Sequence, residues 1–239
     1  TVLPFYRFAA LLLCCVPAVG RGFVEHLGLT WNPLTTQIES HDWQAELYSD
    51  VARFNRIAHN LATDVWTYIS LGYFHQRLSA QGSTGSSTMP HKVNPIRFEN
   101  GEANLEISCS LLDTLAATLV TSRLQRDLTD STVLRNVGVP MAHSMIALKS
   151  LRKGLGKILL NEEALRQDLE NNWAVVAEGL QTILRREGYP KPYEALKELT
   201  RTNEHITEQS IYDFIESLAV SAEVKEEMHR ITPHSYTGV

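Results

Sequence analysis

The side chains best suited to chemistry gather in polar stretches between apolar ones: Thr35–His41, Gly85–Asn100 and Ser122–Asn136. Together these stretches offer Gln37, Ser86, Ser87, Lys92, Asn94, Asn100, Arg126, Ser131 and Arg135. Arg and Lys supply charge-assisted donors while Ser and Asn fix orientation, so the set suits carboxylates and a phosphate. It lacks the His-rich or carboxylate-rich spacing of a metal site. No Gly-x4-Gly-Lys-Ser/Thr occurs, so the central stretch is not a P-loop. Neither a metal nor a cofactor is expected. Within Gly85–Pro95, glycine at one end and Pro90 and Pro95 at the other shape a polar loop, which suits a lid over a charged substrate. His91 lies inside that loop, where a loop or specificity role is favoured over acid–base chemistry. His41 follows the Gln37 stretch and could contact the site or cap the next helix; the spacing leaves both open.

Long helices must position these groups. Trp43, Leu47, Val51, Phe54, Ile57, Ala58, Leu61, Val65, Tyr68 and Ile69 recur at steps of three and four, which predicts one helix from His41 to about His75. Such a helix is about 45 Å or longer at 1.5 Å per residue and points to an elongated bundle. A second long pattern runs from about Ile96 to Thr121 through Leu105, Cys109, Leu112, Leu115, Ala116 and Leu119. Cys109 on that stripe reads as an inert core thiol. Asp130 is expected to cap a third helix through Met141, Met145, Leu148 and Leu151, with Pro140 kinking it or displacing its start. Asn161-Glu162-Glu163 reads as a cap and first turn. Shorter helices follow at Trp173–Glu187, Pro192–Arg201, Thr207–Leu218 and Ser221–His229, with Ser221 as an N-cap. No strand-like alternation is evident. The expectation is an all-α chain: an unassigned apolar segment at 1–22, a long-helix bundle at 23–160 carrying the loop, and a small helical domain at 161–239.

Composition narrows the partners. With 239 residues, 44% of them hydrophobic and 21% charged, the chain reads as a globular protein with a substantial core. A net charge of −5 and no Lys/Arg run argue against nucleic acid as the principal partner. Cys14, Cys15 and Cys109 have neither metal-ligand spacing nor the even count of a disulfide framework, which suits a reduced compartment and a cytoplasmic location. The apolar run Phe8–Val19 resembles a signal-peptide core and is too short to span a bilayer comfortably. A buried helix fragment or a non-native end is the favoured reading there, and no later stretch suits a membrane span.

Gly85-Ser-Ser-Thr-Met-Pro-His-Lys-Val-Asn-Pro95 resembles the shared loop of the fumarase/aspartase superfamily. Trp31-Asn-Pro-x-Thr-Thr-Gln37-Ile-Glu, Asp64-Val-Trp, Phe98-Glu-Asn100 and Arg126-Asp-Leu-Thr-Asp-Ser-Thr-Val-Leu-Arg135-Asn narrow the likeness to the bacterial-type adenylosuccinate lyase family, from about Phe23 to Gly238. The resemblance implies a long-helix bundle and elimination across a succinyl C–N bond, releasing fumarate with AMP, or fumarate with AICAR from SAICAR. It implies Ser86 as general base, its alkoxide stabilised by nearby charge. It places Gln37, Ser87, Lys92, Asn94 and Asn100 at substrate contacts, and Lys92 and Asn94 can stabilise the charge that develops on the carbanion. It places Arg126 and Ser131, Thr132, Val133, Leu134 and Arg135 on the nucleotide. It further implies homotetramers whose active sites draw on three subunits.

One family feature is missing from this sequence. The family's general acid is a histidine in a Thr-His-Gly-Gln-like motif, and no such motif occurs here. The chain is therefore expected to correspond to the C-terminal part of the family, with a shortened final helix and little activity alone. Two further readings stay open: a non-catalytic subunit that only assembles with a complete lyase, and another superfamily lyase such as argininosuccinate lyase. Trp43, Phe54, Trp66 and Leu105 are expected to need partner helices to shield them.

Overall fold

The structure, a computed structural model, describes residues 16–34, 40–77, 93–124, 127–200 and 205–237. The chain divides into two units, Thr1–Ser70 with Gln76–Ile158 and Leu71–His75 with Leu159–Val239.

In the first unit the described helices are α1 (Val16–His26), α2 (Asp42–Ser70), α3 (Ile96–Leu119), α4 (Thr129–Leu134) and α5 (Gly138–Leu155). The 29 residues of α2 begin where the His41 carbonyl accepts from Gln44 N and Ala45 N, each at 3.1 Å. The helix stops at Ser70, short of the expected His75, because the chain turns at Gly72, whose φ of 78° suits only glycine well. Its buried face is not the one that large apolar residues mark out. Tyr48, Ala52, Asn55, Ala58, Ala62 and Val65 are buried, while Trp43, Leu47, Phe54, Ile57, Leu61 and Tyr68 are exposed. The small residues let α3 approach closely, so the face that packs within the chain is the one poorer in hydrophobic volume. Trp43 at 56%, Phe54 at 53% and Trp66 at 40% remain exposed as expected, whereas Leu105 is fully buried.

Helices α2 and α3 run antiparallel, and one edge of their contact is a polar ladder. Arg56 pairs with Asp113, His59 with Glu106 at 3.2 Å, Thr63 Oγ1 donates to Glu102 at 2.7 Å, and Trp66 Nε1 donates to Glu99 at 3.2 Å. Inside the contact, Asn55 Nδ2 donates to Ser108 Oγ at 3.0 Å and to Ser144 Oγ at 2.8 Å. Both hydroxyls lie within hydrogen-bonding distance of the Pro140 carbonyl, at 2.8 and 3.1 Å, so α2, α3 and α5 share one buried polar node. Pro140 sits in the first turn of α5, where its missing N–H leaves no helical bond unmade. Where α3 crosses α5, Gly101 and Gly154 leave room for Leu151 and Phe98; a Cβ at Gly154 would lie 2.8 Å from Phe98 Cζ. Cys109 is half-buried, and burial pushes its thiol up, as an inert core position requires.

Two short strands correct the expectation of no β structure: β1 (Phe74–Gln76) pairs with β2 (Ile158–Leu160). Three residues each are too few to leave a readable alternation. In the second unit come α6 (Glu162–Glu170), a 3-10 turn (Trp173–Val176), α7 (Ala177–Arg186), α8 (Pro192–Thr200), α9 (Glu208–Ser217) and α10 (Ala222–His229). Asn161 caps α6 by accepting from Ala164 N at 3.4 Å. Ser221 caps α10, and Thr207 with Ser210 forms a capping box on α9. The core of this unit is Trp173, Val176, Leu180, Ile183, Leu184, Leu196, Ile211, Ile215, Leu218, Val224 and Met228. Arg186 holds Glu227 through two bonds of 2.8 and 2.6 Å. The architecture is all-α with one minimal two-stranded sheet.

Candidate functional site

Ser86, Ser87, Lys92, Gln37, Arg126 and His91 lie outside the described residues. The described members of the predicted set fall at the start of α3 and on α4. Asn94 is half-buried just before α3, and Asn100 is exposed in the early turns of that helix. The Asn100 carbonyl accepts from Asn104 Nδ2 at 2.8 Å, which leaves the Asn100 side chain outside that contact. Next to Asn100, Glu99 holds the indole N–H of Trp66.

Helix α4 carries Ser131, Thr132, Val133 and Leu134, with Arg135 directly after it. Val133, Leu134, Val137 and Met141 pack against Tyr48, Ala52, Leu112, Leu115 and Leu119 of α2 and α3. The two aliphatic side chains thus anchor the segment, while Thr132 and Arg135 stay exposed and Ser131 half-buried. Upstream, Asp127 Oδ1 accepts from the backbone N–H of Thr129 at 3.0 Å, and that bond holds its carboxyl below the usual range. Asp127 therefore makes the turn into α4. Asp130 does not cap a helix as expected; it lies within the first turn of α4 and is buried.

The partner of Asp130 comes from far away in the sequence. His41 Nε2 lies 3.7 Å from Asp130 Oδ2, and the two side chains are only 15% and 12% exposed. His41 holds a left-handed backbone, φ 61°, immediately before α2. Of the two roles left open for it, the structure displays the cap: its backbone carbonyl starts the helix while its ring reaches toward α4. Sequence reasoning missed Asp130 as a member of this pair, because no local spacing joins residues on separate polar stretches. The signal present was that both stretches carry a titratable group.

Among the described residues no group of three or more His, Cys, Asp or Glu is arranged to hold a metal ion. No helix among them is long and apolar enough to cross a membrane. A cleft of about 540 Å³ in the second unit is lined by Tyr189, Leu199, His205, Asp213 and Phe214, and it contains none of the predicted site residues.

Two family models match the chain, one described as Adenylosuccinate lyase C-terminal over residues 122–237 and one described as Lyase over residues 16–107. The chain is 54% identical over 218 residues to the adenylosuccinate lyase of Dictyostelium discoideum, which covers 90% of this chain and 47% of that protein. It is 53% identical over 214 residues to that of Vibrio cholerae, covering 90% of this chain and 46% of the relative. Against that of Escherichia coli the identity is 51% over 216 residues, covering 90% and 47%. The chain spans about half the length of the curated relatives it matches.

Proposed function

Because this chain belongs to the adenylosuccinate lyase family, we propose that it supplies the base-bearing loop and nucleotide segment of an enzyme eliminating fumarate from adenylosuccinate. AMP is the other product, and SAICAR, giving AICAR, is the second substrate. The observation that carries this reading is that the matched regions take in both Gly85–Pro95 and Arg126–Arg135.

Ser86 removes the proton from the carbon next to the one that bears the departing nitrogen. The resulting carbanion spreads its charge onto the neighbouring carboxylate, where Lys92 and Asn94 act as preorganised donors. Ser87, Asn100 and Gln37 hold the succinyl portion. Arg126, Ser131, Thr132 and Arg135 hold the nucleotide, with its phosphate paired to the cations, and Val133 and Leu134 fix that segment to the helices beneath. The acid that protonates the leaving nitrogen comes from a residue outside this sequence. The assembly is a homotetramer in the cytoplasm, and the large exposed side chains of α2 support contacts with other subunits.

The test measures adenylosuccinate turnover by this chain alone and by this chain co-expressed with the portion of the Escherichia coli relative that it does not match. We expect little turnover alone and clear turnover in the complemented protein. Ser86→Ala should reduce it by about 100-fold or more. Full activity of the unassisted chain would overturn the assignment of the acid elsewhere. Co-assembly without turnover would favour the non-catalytic subunit, a reading that the exposed apolar face of α2 also supports. Faster turnover of argininosuccinate than of adenylosuccinate would move the substrate assignment to the other lyase.

A further inference from the structure

We propose that His41 and Asp130 form a positioning pair that sets the register of the nucleotide-holding segment Ser131–Arg135 against the start of α2. This rests on the functional reading above and adds two positioning residues to it.

Four observations meet at the pair. The His41 ring and the Asp130 carboxylate approach to 3.7 Å with both side chains largely withdrawn from water. Asp130 directly precedes Ser131, so wherever its carboxylate is held, the segment begins. His41 takes a left-handed backbone, an arrangement that histidine adopts more readily than most residues but that still needs surrounding structure to maintain it. Finally, Asp130 Oδ1 is buried with no hydrogen-bond partner among the described residues. A buried carboxylate oxygen lacking a donor is unfavourable unless a neighbouring group favours its charge. The imidazole of His41 lies beside this carboxylate, on its Oδ2 side.

Among the described residues, Val133 and Leu134 give α4 an apolar anchoring. They press it onto the helices, and such contacts, being non-directional, resist separation more than they resist rotation or sliding. The 3.7 Å approach of the His41 ring to Asp130 at the first turn adds a polar contact between two fixed side chains, which favours one placement of the helix over its neighbours. It also ties α4 to the polar stretch that ends at His41, so two of the three stretches are held by one pair.

The experiment uses the complemented protein, with His41→Gly as the principal variant because glycine keeps the left-handed backbone and removes only the ring. His41→Gln is the conservative variant, since its amide keeps a polar group within reach of the carboxylate. We expect His41→Gly to raise KM for adenylosuccinate, and to weaken AMP binding in calorimetric titration, by about tenfold each. The loss falls on KM rather than kcat, as for an interaction made equally in ground and transition states. His41→Gln should recover most of it. Unchanged KM and AMP affinity in His41→Gly, or a loss confined to kcat, would overturn the proposal. If His41→Gly does not fold, Asp130→Asn is measured in the same way, and the same results support or overturn the pairing. Parent protein that neither turns over nor binds AMP removes the functional reading, and the positioning role falls with it. AMP binding that His41→Gly leaves intact removes the positioning role alone.

Discussion

Asn55 shows how one residue can hold three helices. Its two amide hydrogens reach Ser108 and Ser144, whose hydroxyls in turn face the Pro140 carbonyl, all in a region closed to water. Asn55→Ala removes two hydrogen bonds and opens a cavity, so it should destabilise the protein by about 2–4 kcal/mol, read from the midpoint of denaturant unfolding. The exposed Glu227 makes a different prediction. Hydrogen bonds from Arg186 hold its carboxyl below the usual range. The unfolded chain therefore takes up a proton first as pH falls, so this stabilisation is complete above the usual carboxylate range and is lost on acidification through the lowered folded value. Glu216, bonded by His229 and Lys225, and Glu170, bonded by His234, shift the same way. Glu227→Gln should flatten the acid side of the stability profile, measured by urea midpoints at neutral pH and at about pH 3.5.

Among the elements, the α3–α5 crossing depends on the absence of side chains at Gly101 and Gly154. Gly154→Ala gains about 1 kcal/mol of helix propensity but drives a methyl into the fully buried Phe98 ring. Overpacking of about 1–3 kcal/mol should prevail, lowering the thermal midpoint without loss of helical signal below it. The long helices were legible because steps of three and four persisted through α2 and α3. The inward face of α2 was not, because periodicity marks an apolar face without saying whether it meets the same chain. Ala52, Ala58 and Ala62 carry little hydrophobic weight, yet they are buried, while Phe54 and Ile57 are not. Ser131–Arg135 stood out as part of a polar stretch. Its tie to His41 did not, since it depends on how α4 comes to lie beside the start of α2. The β1–β2 ladder was hidden by brevity.

At the scale of the whole molecule, the two faces of α2 divide the work of burial. One packs within the chain through small residues, and the other displays Trp43, Leu47, Phe54, Ile57 and Leu61 to solvent. An apolar surface of this kind favours association. Phe54→Lys with Ile57→Lys should therefore reduce the sedimentation coefficient of the complemented protein while leaving its helical content near the parent's. A parent protein that is already monomeric before substitution would rule this face out as an interface. Where a helix owes part of its burial to a neighbouring subunit, its stability follows mass action. Dilution then behaves as a mild denaturant, and the melting temperature of the protein becomes a function of how much of it is present.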